Sequence, residues 1–399
     1  MVEVWLPYGM SEVPARVPEE RLVEIIKSKS QTISDPAAKA TTLLEAHGGL
    51  REAAKKAEKI CVVLGECANQ QIAISLLEAI QENLQSKTQG RVTILRAPEA
   101  LEVDPNIFPE AHVSHYQPES SPTLPIKDFS GPFTPELSTD FLTADLKVVV
   151  GELKPHNFLQ CSGLCDVVFP GLASIDSINR HLTGRQGFAA PDIRRERTEI
   201  TKLAGDVFSL GVILNSEKIP IEVMFGMLTE TLATLGPALL EVLVRNVKPA
   251  DIVVMSSGGI PQDRSLLAAV ETFPTVISAL KKNGALVVAA ECIEGHGGTE
   301  FYDWSAEKKE AHHLEARLRH TFNYNGFKAA YLRRVLATHR VYLVSTIPDH
   351  YVENVFGMKA AETVNAALQS AQRVLGSDST ISVVPDASRV TIEAQAPAV

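Results

Sequence analysis

The densest collection of reactive side chains runs from Gly151 to His181. It holds His156 and His181, Cys161 and Cys165, Lys154, and the acids Glu152 and Asp166. Imidazole exchanges protons near neutral pH and is a common metal ligand, so this segment is a candidate for acid–base or metal chemistry. Cys161 and Cys165 are spaced CxxxC and no second pair follows, which argues against a structural zinc site. A polar loop with buried free thiols accounts equally well for the spacing. Two glycine-rich segments follow at a distance. Ser256-Ser257-Gly258-Gly259-Ile260-Pro261-Gln262-Asp263 stands between a strand and a helix, where backbone N–H groups and the helix start attract a carboxylate or phosphate. An ordinary turn with Asp263 as helix cap is the competing reading. Ala290-Glu291-Cys292-Ile293-Glu294-Gly295-His296-Gly297-Gly298 repeats the arrangement after another apolar run. No GxGxxG opens a helix after a strand, and Walker A, HExxH and GxSxG patterns are absent. His312, His313 and His320 lie on a charged helical stretch and read as solvated.

These segments need elements to position them. Short Val/Ile-rich runs alternate with longer helical patterns, the mark of parallel α/β units. Ile60–Leu64 and Arg91–Leu95 read as strands around an amphipathic helix from Asn69 to Gln85, with Ile72, Leu76, Ile80 and Leu84 on one face. Prolines at 105, 109, 118, 122, 125, 132 and 135 exclude a continuous helix or central strand between Asp104 and Pro135. Strand 146–151 follows, then a hairpin of 208–215 and 219–225, and a helix from Thr229 to Arg245. Beyond Lys248-Pro249 come strand 252–256, a helix from Asp263 to Lys282, strands 285–290 and 341–345, a helix from Lys359 to Leu375, and strand 380–384. The expected architecture is α/β with a larger N-terminal domain over 1–247. A smaller doubly wound, Rossmann-like domain spans 248–386, with a cleft between the two. A tail from 387 to 399 adds one more strand before it frays.

The chain has 399 residues, 45% of them hydrophobic, which suits two domains with real cores. With 38 Lys+Arg against 48 Asp+Glu, its formal charge is −10, which argues against a general nucleic-acid binder. The one dense basic cluster, Arg194-Arg195-Glu196-Arg197, is broken by acid and reads as a solvated face. No apolar stretch approaches the ~18 residues of a membrane span. The start, Met1-Val2-Glu3-Val4-Trp5, lacks a signal-peptide pattern. Five sparse cysteines fit reduced thiols, so a cytoplasmic protein is expected.

Four segments, in order, resemble the nickel-dependent lactate racemase family, and together they cover most of the chain. They are Leu6-Pro7-Tyr8-Gly9; Ala144-Asp145-Leu146 through Pro155-His156 to Phe169-Pro170-Gly171-Leu172-Ala173-Ser174; Ser257 to Asp263; and Ala290 to Gly295. The resemblance implies a two-domain enzyme with its site in the cleft. There a nickel-pincer nucleotide takes a hydride from C2 of a 2-hydroxy acid and returns it to either face, while two histidines alternate as base.

Carried over by residue, the resemblance makes His156 a catalytic histidine and His181 the approximate nickel ligand, one residue short of the family spacing. Asp166, beside Gly163, stands where the family links its cofactor through lysine, so any pincer nucleotide is implied to be held non-covalently. A DxTRP-like motif appears as Glu66-Cys67-Ala68-Asn69, without its arginine. A GxHR-like motif appears as Ala97-Pro98-Glu99-Ala100-Leu101, which leaves Glu99 as the replacement for the second histidine. His112 or His115, in the proline-rich stretch, is the alternative. Gly163, Asp166, Gly258, Gly259 and Asn69 are the expected cofactor contacts. Leu267, Ala268 and Glu271 replace an expected Tyr-Gln pair and lysine. Glu66, Glu99 and Glu271 then repel a small anion, so the resemblance implies racemisation or epimerisation of a 2-hydroxy acid or sugar acid other than lactate. A fold-retaining binding or regulatory protein, and a different metal-assisted enzyme using His156, Cys161, Cys165 and His181, are the alternatives.

Overall fold

The computed structural model describes residues 1–28, 32–84, 91–98, 100, 107–109, 111–156, 160–162, 164–182, 190–229 and 244–395. Its first two strands, β1 (Val2–Tyr8) and β2 (Ser11–Val17), form an antiparallel hairpin. Alternation puts Val4, Leu6, Ala15 and Val17 on one face, and that face packs on Ile252, Val254, Ala285 and Val287 of the C-terminal half. A third strand, β3 (Leu22–Ile25), follows.

The N-terminal sheet is built from β4 (Ile60–Leu64), β5 (Val92–Arg96) and β6 (His112–His115), then β9 (Leu146–His156), β11 (Val207–Leu214) and β12 (Pro220–Met227). Between β6 and β9, β7 (Thr123–Pro125) and β8 (Glu136–Ser138) pair with each other, Leu137 of β8 also bridges to Ala173, and β10 (Gln160–Ser162) folds back on β9. The spatial order is β12-β11-β9-β4-β5-β6, parallel except for β12. The direction of winding therefore reverses between β4 and β9. All five residues of β4 are buried, as a strand covered on both faces requires.

The C-terminal sheet contains β14 (Ala250–Ser256), β15 (Leu280–Ala289), β16 (Arg340–Val344), β17 (Lys359–Ala360) and β18 (Ile381–Val384). Its order is β17-β16-β15-β14-β18-β3, parallel throughout, and it reverses between β14 and β18. Outside it, β13 (Val244–Val247) pairs with β19 (Thr391–Ala394).

Both sheets are doubly wound α/β, as the alternation predicts. The division near residue 248 is not where the sheets part, because β3 pairs with β18 and the opening hairpin packs on the C-terminal sheet. Such long-range pairing leaves no local periodicity. The expected helix over Asp263–Lys282 is broken into Leu266–Val270 and Phe273–Val276, with Pro274 restarting it, and β15 already begins at Leu280. The expected helix over Lys359–Leu375 is confined to Val364–Leu375, capped by Thr363, and Lys359–Ala360 is strand. Val244–Val247 is strand where a helix end was expected, and 230–243 lie outside the described residues.

Candidate active site

In open α/β sheets ligands bind where the winding reverses, outside the carboxyl ends of the strands. Here the two reversal points face each other. Gly65 to Asn69 leave β4, and Glu152 and Lys154 lie in the far half of β9. Across from them, Ser257 to Gln262 leave β14, and Pro385 to Arg389 leave β18. Between them opens a cleft of about 1300 Å³ lined by Glu66, Ala68, Lys218, Gly259, Arg264 and Pro385, among others.

Its floor is a charge network. Lys154 Nζ donates to Glu66, and Gln262 Nε2 donates to the other Glu66 oxygen at 3.1 Å. The Ala68 N–H donates to Glu152 Oε2 at 2.9 Å, and the Arg389 guanidinium pairs with Glu152 Oε1. The Glu152 and Arg389 side chains are 1% and 0% exposed, so this ion pair is fully dehydrated. Burial alone raises the Glu66 carboxyl, but Lys154, Arg389 and Gln262 outweigh it and hold Glu66 below the ordinary range. Two carboxylates and two cations balance. Glu66 is therefore a fixed anion already matched by Lys154, and not the repelling charge that its position in the sequence implies. Glu271 is matched too, by Lys328 and by the Tyr324 hydroxyl at 3.2 Å.

Asn69, Gly258 and Gly259, expected as cofactor contacts, also have structural roles. Asn69 Oδ1 accepts from the Ile72 N–H at 3.2 Å, capping the helix Gln70–Leu84, and its Nδ2 donates to the Lys218 carbonyl at 3.0 Å. Gly258 and Gly259 have φ of +110° and +72°. A Cβ on Gly258 would stand 2.5 Å from Asp386 Oδ1, and one on Gly259 would stand 2.9 Å from the Gly9 carbonyl. Close chain approach demands these glycines. Gly258→Ala is expected to lower stability by about 1–3 kcal/mol, read from urea unfolding midpoints. Asp263 does not cap a helix; Ser265 does, accepting from the Ala268 N–H. Asp263 Oδ2 instead accepts from the N–H groups of Gly9 (2.7 Å) and Glu291 (3.1 Å), tying the opening hairpin to the 290s loop.

His181 is buried and lies away from the cleft lining. Its Nδ1 is 2.9 Å from Glu196 Oε2, and its Nε2 accepts from Arg197 Nε at 3.5 Å. Arg197 Nη1 also donates to Asp166 Oδ1 at 2.6 Å. Arg197 is thus 7% exposed rather than part of a solvated basic run. A metal-ligating histidine does donate its far N–H to a carboxylate. Here, however, the remaining ring nitrogen faces a guanidinium, and the Asp166 carboxylate is held by the same group. This donor set does not fit a resident nickel ion. Burial raises the Cys165 thiol to about 12. Among the described residues, the one His/Cys/Asp/Glu cluster with metal-ligand spacing is the exposed Glu310, His312 and His313.

His156 ends β9, and its side chain, like those of Cys161 and its neighbours, lies outside what is described. Glu99 and Gly163 also lie outside the described residues. His112 and His115 sit exposed on the edge strand β6 and do not line the cleft. Arg389 was invisible to sequence reasoning. Its one signal is a lone arginine just past an apolar strand, in a segment otherwise expected to fray.

Fold and crevice together define a two-domain α/β protein with a cleft at facing winding reversals. Residues 245–392 match the lactate racemase C-terminal domain. The chain is lactate racemase-like along its length: it is 26% identical to the lactate racemase of Thermoanaerobacterium thermosaccharolyticum, over 98% of this chain and 99% of that one. The lactate racemase of Lactiplantibacillus plantarum is 25% identical over 63% of this chain and 62% of its own. The lactate racemase apoprotein structure from the Thermoanaerobacterium species superposes with a TM-score of 0.83 at 24% identity, covering 98% of this chain and 100% of that one. A crystal structure of a Thermotoga maritima protein shares the fold at a TM-score of 0.62 and 13% identity, covering 90% of this chain and 98% of that one.

Proposed function

We propose that this chain is a lactate racemase-like isomerase that inverts C2 of a 2-hydroxy acid or sugar acid bulkier than lactate, in the cytoplasm. The observation that carries this reading is the cleft. Its roughly 1300 Å³ exceeds the ~300–1,000 Å³ of sites that enclose drug-sized ligands, far above the volume of lactate. Lys218 and Arg264 line it and supply cations for a carboxylate in place of the family's missing arginine and lysine. His156 is the base assigned to the hydroxyl of one enantiomer. Glu99 is the base assigned to the hydroxyl of the other enantiomer. The non-covalent nickel-pincer nucleotide that the resemblance implies finds no fit at Asp166 and His181, so no step is assigned to it.

One observation favours a second reading. The groups the family devotes to its cofactor are here locked in the Asp166–Arg197–His181–Glu196 cluster, as in a binding or regulatory protein that kept the fold without turnover. A panel of enantiopure 2-hydroxy acids and sugar acids, followed by polarimetry and calorimetric titration, separates the two. Loss of optical rotation, abolished by His156→Ala with binding retained, is the expected result. Binding without inversion for every ligand would sink the isomerase reading. Lys218→Ala is expected to weaken ligand binding by about tenfold or more, the loss of one charge-assisted hydrogen bond.

A further inference from the structure

We propose that Arg197 is a built-in counter-cation, seated where a metal ion would draw on the same two ligands, so that this chain keeps no metal on His181. Three helical segments converge on it. Asp166 lies in Leu164–Val168, His181 near the end of Ile175–Leu182, and Glu196 and Arg197 in Ala190–Leu203. The two successive residues of the last helix meet the imidazole from its two ring nitrogens. Nδ1 carries the proton and donates to Glu196, because the Nε2 side is met by a permanent donor, the Arg197 N–H. The guanidinium then spans the Nε2 lone pair and Asp166 Oδ1, one nitrogen ligand and one carboxylate oxygen.

The His181 and Arg197 side chains are 0% and 9% exposed. The imidazole stands edge-on to Phe169 at 5.0 Å between centroids, with Phe133 at 6.3 Å on another side. A divalent ion entering at Nε2 would meet a buried guanidinium in a low-dielectric setting, where like charges repel strongly. The positive charge beside Asp166 is thus supplied by the chain itself.

The test reads metal, not turnover, so it stands apart from the isomerase reading. Glu310, His312 and His313 place their ligand atoms within 4.8 Å of one another on the surface and would take up divalent ions. The full chain carrying His312→Ala and His313→Ala is therefore the parent. After incubation with Ni²⁺ and desalting, the parent is expected to retain no nickel. Arg197→Ala in that background is expected to retain one equivalent, lost again when His181→Ala is added. Nickel held by the parent and lost on His181→Ala would overturn the proposal, and so would a folded Arg197→Ala variant that takes up none. Should Arg197→Ala not fold, ¹⁵N NMR of the parent's histidines decides. His181 signals of an Nδ1–H tautomer unmoved by Ni²⁺ support the proposal, and paramagnetic broadening of His181 refutes it.

Discussion

Arg389→Ala is expected to destabilise the protein by about 3–5 kcal/mol, because it leaves Glu152 as a dehydrated, unpaired carboxylate. The Arg389 side chain is fully buried, and its partner is 1% exposed. Burial pulls the guanidinium down to about 10, and the attraction of Glu66 and Cys67 opposes that pull. The charges of Glu66, Glu152, Lys154 and Arg389 cancel, so deleting one cation leaves a net negative charge at the dehydrated Glu152 end of the network. A volume-matched double replacement, Glu152→Gln with Arg389→Met, removes both members of one pair and is expected to recover most of the loss. Urea unfolding of the two variants and the parent checks this. Equal losses for the single and the double variant would show that Arg389 acts by packing alone. The pair also joins β9 of one sheet to the segment after β18 of the other. Cutting it is therefore expected to turn one cooperative transition into two.

Much of this architecture was legible because strands buried on both faces write themselves as apolar runs. Ile60–Leu64, 208–215 with 219–225, and 341–345 each correspond closely to observed strands. What escaped was whatever depends on partners far away in sequence. The opening hairpin belongs to the C-terminal sheet through contacts with residues about 250 positions distant, which no local period encodes. The glycines of Ser257 to Asp263 have the composition of an anion cradle, yet their freedom is spent on close approach to Gly9 and Asp386. Arg197 looked solvated because composition reports a charge run and not which member turns inward. The site was legible in outline, as loops after strands. Its charge pairing was not, since Glu66 and Glu271 read as repelling anions until their lysine partners came into view.

Asp386→Asn is expected to abolish a fall in stability between about pH 4 and pH 6 that the parent shows. Burial pushes the Asp386 carboxyl up to about 6, although hydrogen bonds from Ser388 and the charge of Lys218 act the other way and Glu217 adds to the rise. Its Oδ1 accepts from the Ser388 N–H at 2.9 Å and the Ser388 hydroxyl at 2.6 Å, and its Oδ2 has no hydrogen-bond partner among the described residues. The folded chain therefore keeps a proton that the unfolded chain releases near 3.8. The stability this group contributes is complete below the unfolded value. It is lost as pH rises through the folded one, a change of about 3 kcal/mol. Asparagine preserves the neutral shape, so the difference in urea midpoint between parent and variant is expected to grow from near zero at pH 4 to its maximum above pH 6. Superimposable slopes would refute this. Carboxylates held low by partners, such as Glu66 and Asp251, lose stabilising charge only toward acid pH and cancel in the comparison. Asp386 follows Pro385 in the cleft wall, so its ionisation also adds a negative charge beside Lys218. Binding of an anionic ligand in the parent is then expected to tighten as pH falls through 6, and the Asn variant is expected to bind with that affinity at every pH.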